Sequence, residues 1–245
     1  MNSILFGNGY WGNIVKEKII GLTNLTIVQR ITKTDIPIPD NMDIAFVCCS
    51  TLSHYEVIKR CLDKGIKYLF CTKPFTGDYE KAKELFNIAK NKNINIFVDN
   101  LFLFRKEIME IQIKEIDCIS FNWNKLSVRE NLIDSLLYHD LYLLLKWSQS
   151  DEWKINYGGV YDNSLHLSLF NGYQNSFFRY DIGKENKKWI VINDQVIDLT
   201  FPKHDPLKEC IVNMFKNNID YNLSREVTLN TLKLMNSIQK KLALC

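Results

Sequence analysis

Through the first hundred residues, short apolar runs at 3–6, 25–31, 44–49, 68–71 and 95–98 alternate with stretches whose apolar positions recur at helical spacing. Runs this short, bounded by Gly, Pro, Asn and Asp, read as strands, and the stretches between them as helices. The first helix, 12–20, carries Ile14, Val15, Ile19 and Ile20 on successive turns. Ser53-x-x-Glu56 is a capping box that opens a helix reaching Lys64, with Gly65 as its stop, and Asp78 caps a helix over 79–91. Strand and helix in turn predict an α/β domain over residues 1–100, a Rossmann-type doubly wound parallel sheet with helices on both faces.

Beyond residue 100 the pattern changes. Residues 117–124, 153–161, 164–170, 176–181 and 189–192 read as strands, the last two separated by the polar turn GKENKK. Asp205 then caps a helix with Pro206 in its first turn, and Ser224 caps a final helix to about Leu242.

Between the first strand and the first helix lies GNGYWG, residues Gly7, Asn8, Gly9, Tyr10, Trp11 and Gly12, at the spacing G-x-G-x-x-G. In that context Gly7 permits the tight turn, Gly9 lets the backbone approach a pyrophosphate, and Gly12 lets the helix pack close to the strand. The alternative is a glycine-rich turn without a ligand. At the end of the second strand, where an acid binds the free ribose of NAD and a base the extra phosphate of NADP, the chain reads QRITK. Arg30 therefore leans toward NADP, with Arg30 and Lys33 as solvated surface charges the alternative.

Composition narrows the partners. A chain of 245 residues, 46% hydrophobic and 24% charged, buries a full core in one large or two modest domains. The net charge of +3 is spread without a basic stripe, so the expected partner is a small molecule rather than nucleic acid or membrane. The apolar run at the amino terminus is too short for a signal peptide, and the expected location is the cytoplasm. Seven cysteines, Cys48, Cys49, Cys61, Cys71, Cys118, Cys210 and Cys245, form no CxxC pair and no zinc-like cluster, and read as buried free thiols without chemistry. No metal site is expected.

Several stretches in order, GNGYWG, STLSH, TKP, SLLYHDLYLLLKW and the segment DPLKECIVNMFKNNIDYNLSREVTLNTLKLMNSIQ, resemble the Gfo/Idh/MocA oxidoreductase family. The resemblance implies hydride transfer between NAD or NADP and a sugar, sugar derivative or polyol. It also implies a second, smaller α+β domain over 101–245, an open and mostly antiparallel sheet whose carboxy-terminal helices pack back on the first domain. That sheet supplies the substrate pocket and pairs subunits into a homodimer. The chain is short for the family, so the sheet is expected to be trimmed.

The family's site residues carry over onto matching positions. Lys73 stands in TKP at the place of the family's Glu-Lys-Pro, where the lysine reaches the substrate oxygen and the nicotinamide region, and Pro74 turns the chain so that the ammonium faces the cleft. His139 matches the histidine of the family's Asp-x-Gly-x-His helix, which faces the substrate. Ser50, Thr51 and His54 match the loop that covers the cofactor, where His54 contacts the cofactor or caps the helix, and Trp11 matches a common aromatic position beside it.

The motif departs from the family at two places. Thr72 replaces the glutamate before Lys73. Ser135 replaces the aspartate four residues before His139, with Asp134 one residue further back. Arg105, Asn122, Trp123, Lys125, Arg129 and Tyr161 form a polar and aromatic set that suits a cleft for a sugar or nucleotide sugar. The alternatives left open are a biliverdin-reductase-like reductase of a non-sugar substrate and a dinucleotide-binding sensor or accessory protein without catalysis.

Overall fold

In the computed structural model, which describes residues 1–28, 38–111, 115–128, 132–148, 150, 152–183 and 185–243, the chain divides into two units. One comprises residues 1–100 and 207–229, the other residues 101–206 and 230–245.

The first unit begins β1 (Asn2–Phe6), α1 (Tyr10–Ile19), β2 (Asn24–Val28), β3 (Ile44–Val47), α2 (Thr51–Asp63), β4 (Tyr68–Cys71), α3 (Tyr79–Asn91) and β5 (Asn95–Val98). Every pairing among these strands is parallel, in the order β2-β1-β3-β4-β5. The unbroken apolar runs suit strands covered on both faces. Phe46, Phe70 and Phe97 lie side by side across β3, β4 and β5, with ring centroids 5.7 and 6.2 Å apart. The strand order reverses between β1 and β3. Open parallel sheets take ligands at such a reversal, at the carboxyl edge of the strands.

Helix α2 buries His54, Val57, Ile58, Cys61 and Leu62, one face at helical spacing. It opens at Thr51 rather than at the expected Ser53. Ser50 holds the extended backbone of a cap (φ −67°, ψ 145°), and its hydroxyl lies 3.2 Å from that of Ser53. Helix α1 ends at Ile19, which leaves Ile20 exposed beyond it.

In the second unit a 3-10 turn (Leu101–Phe104) precedes α4 (Lys106–Met109) and β6 (Cys118–Lys125). A π-helical turn (Ile133–Leu137) then runs into α5 (Tyr138–Trp147). Strands β7 (Lys154–Tyr161), β8 (Ser164–Phe170), β9 (Asn175–Ile182), β10 (Lys187–Ile192) and β11 (Gln195–Asp198) complete a sheet of order β11-β10-β6-β9-β8-β7. Of the pairings described, β6 with β9 is parallel and the others are antiparallel. Strand β11 was not anticipated, since its two apolar residues stand between Gln195 and Asp198 and make no run.

Two helices close the chain, α6 (Pro206–Phe215) and α7 (Tyr221–Leu242). Helix α7 is capped by Asp220, whose carboxylate accepts from the backbone N–H of Asn222 at 3.1 Å and of Leu223 at 3.0 Å. Ser224, the expected cap, is instead inside the helix and buried.

The second sheet sorts its side chains by the period of two. Lys188, Trp123, Tyr180 and Leu165 form one cross-strand row; Trp189, Asn122, Arg179 and His166 form the next, pointing to the opposite face.

The cap of α3 offers a direct check on this reading of local structure. Asp78 accepts from the Lys81 N–H at 3.0 Å. Replacing it by Ala is expected to cost about 1 kcal/mol, seen as a lower urea midpoint with an unchanged slope.

Candidate functional site

The turn after β1 is dictated by close backbone approach. Gly7 has φ +111°, and a Cβ there would lie 2.5 Å from the carbonyl oxygen of Cys48 at the end of β3. A Cβ on Gly12 would strike the carbonyl oxygen of Gly7. Gly9 is different: it is exposed, and a Cβ there would meet nothing within 4 Å. Gly12 lets α1 press onto the turn after β1, Gly7 lets that turn press onto the end of β3, and the middle glycine leaves room in front of the helix start. The first turn of α1 holds no acidic residue, so its N–H groups and dipole face that space without a competing anion. Such a space can receive a phosphate, and the residues around it fit a dinucleotide.

The edge is completed by the ends of the neighbouring parallel strands. Asn8, Tyr10 and Trp11 are exposed on the glycine turn, with the two rings edge-on at 5.8 Å. Ser50 and Thr51 follow β3, Lys73 and Pro74 follow β4, and the buried pair Asp99 and Asn100 follows β5. Thr72, next to Lys73, turns its hydroxyl back to donate to the carbonyl of Val47 at 3.3 Å. Asn100 was not singled out from the sequence, yet it is fully buried and its side-chain amide has no hydrogen-bond partner among the described residues.

His54 does not present its ring at the surface, as a cofactor contact requires. It is 1% exposed. Its Nδ1 lies 3.1 and 3.2 Å from the carbonyl oxygens of Pro74 and Phe75, and its Nε2 lies 3.0 Å from that of Cys49. The ring therefore ties the loop carrying Lys73 to the loop after β3. Phe75 fixes the same loop against α3, its ring tilted on that of Phe86 at 4.6 Å. A proton on Nδ1 serves one loop and a proton on Nε2 the other; only the imidazolium serves both. Burial opposes that charge and holds the imidazole below its ordinary range, although the three carbonyl contacts pull the other way.

The thiols around it are inert by the same physics. Burial pushes Cys48 and Cys71 well up, helped by the carboxylate of Asp99, and raises Cys49 to about 12. The described cysteines are all free, as expected, and Cys245 lies outside the described residues. No group of His, Cys, Asp and Glu side chains among the described residues is arranged to hold a metal.

His139 stands in the second unit, just past the π-helical turn, half-buried among rings. It meets Phe102 edge-on at 5.1 Å, Trp123 at 6.1 Å and Tyr138 at 6.4 Å. The neighbouring Asp140 is fully buried and accepts from Lys188 Nζ at 2.5 Å and from the Tyr180 hydroxyl at 2.8 Å. Burial raises the carboxyl of Asp140 and lowers the ammonium of Lys188, and each charge compensates the other. Neither Lys188 nor Tyr180 was anticipated; Lys188 belongs to GKENKK, which reads as a solvated turn.

The set expected to line one cleft is split by the sheet. Trp123 lies on the face that carries His139. Asn122 and Tyr161 lie on the other, around a polar cavity of 610 Å³ with Asn124, Arg179, Asp181 and Trp189. Adjacent residues of a strand point to opposite faces, so Asn122 and Trp123 cannot share a pocket. Arg105 is buried and structural, donating to the carbonyl of Leu199 at 2.6 Å. Lys125 lies 5.4 Å from the ring of Trp123. Arg30 and Arg129 fall outside the described residues.

Gly7, Asn8, Gly9, Tyr10, Trp11, Gly12, Ser50, Thr51, Lys73 and Pro74 thus share the carboxyl edge of one parallel sheet, with His54 beneath them and His139 in the other unit.

Comparison with known proteins matches residues 26–100 to an oxidoreductase family with an NAD-binding Rossmann fold, a match that starts after the glycine turn. Over 90 residues the chain is 39% identical to an uncharacterized oxidoreductase of Schizosaccharomyces pombe, covering 34% of this chain and 24% of that protein. The chain thus matches about a quarter of that relative's length. Among solved structures, UDP-N-acetylglucosamine 3-dehydrogenase GnnA from Acidithiobacillus ferrooxidans superposes with a TM-score of 0.81 at 14% identity, covering 99% of this chain and 97% of that one. The WlbA dehydrogenase from Thermus thermophilus, in complex with NAD and UDP-GlcNAcA, does so with a TM-score of 0.73 at 11% identity, covering 96% and 95%.

The His54 clamp predicts a pH response. Its folded pKa lies below the ordinary value of about 6.5, so the stabilisation is present above that pH and is lost as the pH falls through the folded value. The melting temperature is expected to fall between about pH 7 and pH 5. In His54→Gln, which does not titrate, that part of the fall should vanish.

Proposed function

Residues 26–100 match the Gfo/Idh/MocA oxidoreductase family, and from that premise we propose that the protein is an NAD(P)-dependent oxidoreductase acting on a sugar or nucleotide sugar. The reaction moves a hydride between the nicotinamide and a carbon bearing a hydroxyl or keto oxygen. The observation that carries the reading is the glycine turn at the β1/β3 reversal, where Gly7 and Gly12 admit no Cβ and Gly9 opens onto free space.

When bound, the dinucleotide supplies the hydride carrier. The chain's own residues do the rest. Backbone N–H groups at Asn8 to Trp11 hold the pyrophosphate at the start of α1, while Ser50 and Thr51 border it after β3. Arg30 favours NADP by offering a cation for the extra phosphate, and NAD is the alternative. Lys73, on a loop pinned by His54 and Phe75, donates or accepts the proton at the substrate oxygen. His139, in the second unit, is the other residue proposed to handle a proton.

The nucleotide-sugar class is supported by the names of the two structural neighbours, one a UDP-N-acetylglucosamine dehydrogenase and the other holding a UDP sugar.

Thr72 favours a second reading, a dinucleotide-binding sensor without turnover. Its hydroxyl is spent on the carbonyl of Val47, and it brings no carboxylate to the lysine loop.

The homodimer is a further part of the proposal. Register places Tyr157, Tyr161, Phe177 and Val196 on the face of the second sheet opposite α5 and His139, and all four are exposed. A self-complementary pairing of two copies would cover that face.

Titration of purified protein with NADPH and NADH, followed by coenzyme fluorescence, is expected to show saturable binding; absence of binding to either overturns the proposal. In a screen of UDP sugars, Lys73→Met and His139→Asn should each lower kcat by roughly 10²- to 10⁴-fold. Binding without turnover by the wild-type chain across the screen supports the sensor instead. Light scattering should give twice the chain mass, and Phe177→Glu should halve it.

A further inference from the structure

Buried in the second unit is a lysine that no sequence motif singles out. Lys188 is 3% exposed, and its Nζ lies 3.8 Å from the ring centroid of Trp123 and 4.8 Å from that of Phe102. These are the same two rings that flank the imidazole of His139. Trp123 and Phe102 themselves meet edge-on at 5.7 Å. The two rings therefore neighbour both the ammonium and the imidazole.

The ammonium is itself fixed. Asp140 receives it at 2.5 Å, and the other oxygen of Asp140 is occupied by the Tyr180 hydroxyl at 2.8 Å. Asp140 is the residue after His139 on α5, Tyr180 is on β9, Lys188 on β10 and Trp123 on β6. One polar cluster thus joins the helix that carries His139 to three strands of the sheet beneath it. The charges of Arg105 and Lys125 also bear on the ammonium and press against it.

Burying an ion pair is a poor route to stability, because an apolar pair of the same volume serves as well or better. A desolvated cation on ring faces, by contrast, sets where those rings stand. The location of this pair, one residue from His139 and against both of its neighbouring rings, gives it a positional use.

We propose that Lys188 is a positioning residue for His139, acting through Phe102 and Trp123, with Asp140 and Tyr180 as the fixed seat of its ammonium. This rests on the reading of His139 as a proton-handling residue, and extends it to a residue that touches neither substrate nor coenzyme.

The test reads His139 directly. The chain has four histidines, so imidazole NMR of the full-length protein resolves few signals, and His139→Gln identifies the one that matters. Removing Lys188 alone strands a buried carboxylate, so the informative variant is K188M combined with D140N, which keeps the shape and leaves an amide to meet Tyr180. With circular dichroism and a cooperative melt showing a folded chain, the His139 resonance and its titration should move while those of His54, His166 and His204 stay. The kcat for the substrate found in the screen should fall by about 10²-fold with the KM for coenzyme unchanged.

Tyr180→Phe, a milder change that frees one oxygen of Asp140, should move the same resonance less and in the same direction. It decides the matter if the double variant does not fold. A His139 signal unmoved in a folded variant overturns the proposal. Wild-type turnover by His139→Gln overturns the catalytic reading of that histidine instead, and the NMR result distinguishes the two failures.

Discussion

The contact on which the first unit depends is one of backbone on backbone. Helix α1 lies so close to the turn that leaves β1 that Gly12 can carry no Cβ, because Gly7 is in the way, and that turn lies so close to the end of β3 that Gly7 can carry none either, because of Cys48. That approach aims the start of α1 at the carboxyl edge of the sheet. Because all the pairings are parallel, every later strand ends at the same edge, and the loops after β3, β4 and β5 are delivered there by topology. What topology does not supply is the conformation of the lysine loop. His54 and Phe75 supply it, one by binding its carbonyls and the other by packing its ring against Phe86 of α3.

How much of this is legible beforehand depends on how local the cause is. Strands β4, β5 and β8 and helix α3 agree with the sequence reading to the residue, because sharp turn signals bound each one: Gly65, Asp78 and Gly172, for example. The glycine turn is legible for the same reason, its steric demand falling within six consecutive positions. Caps are less so. Ser50 and Ser53 are both competent, as are Asp220 and Ser224, and the choice is made by where the preceding strand or helix lets the chain go. The clamp formed by His54 was out of reach, since its partners at Pro74 and Phe75 lie twenty residues on.

In the second unit, periodicity shows that a strand has two faces but does not say which one is covered. Trp123 and Asn122 looked like one set and belong to two, and only the register across β6, β9 and β10 separates them. Lys188 illustrates the same gap with a charged residue. Set in GKENKK it has every mark of a solvated turn, yet β10 begins at Lys187 and turns the next side chain inward. Its burial becomes tolerable because Asp140 meets it from a helix 48 residues away in sequence. A long-range ion pair of this kind leaves no local trace.

The helix before His139 is irregular at the place where the sequence departs from the pattern it resembles. The family's carboxylate stands four residues before the histidine, whereas here Ser135 takes that place and Asp134 stands five before. On a regular α-helix the extra residue would swing the carboxylate by about 100°. The chain is not a regular helix there: residues Ile133–Leu137 form a π-turn, which closes its hydrogen bonds over five residues instead of four. A π-turn takes up one additional residue at the place where the sequence has displaced its acid by one. Asp134 accepts from Gln239 Nε2 at 2.8 Å, which anchors the turn to α7. The displaced acid and the irregular turn thus fall at the same place, directly before His139, whose ring meets Phe102 and Trp123.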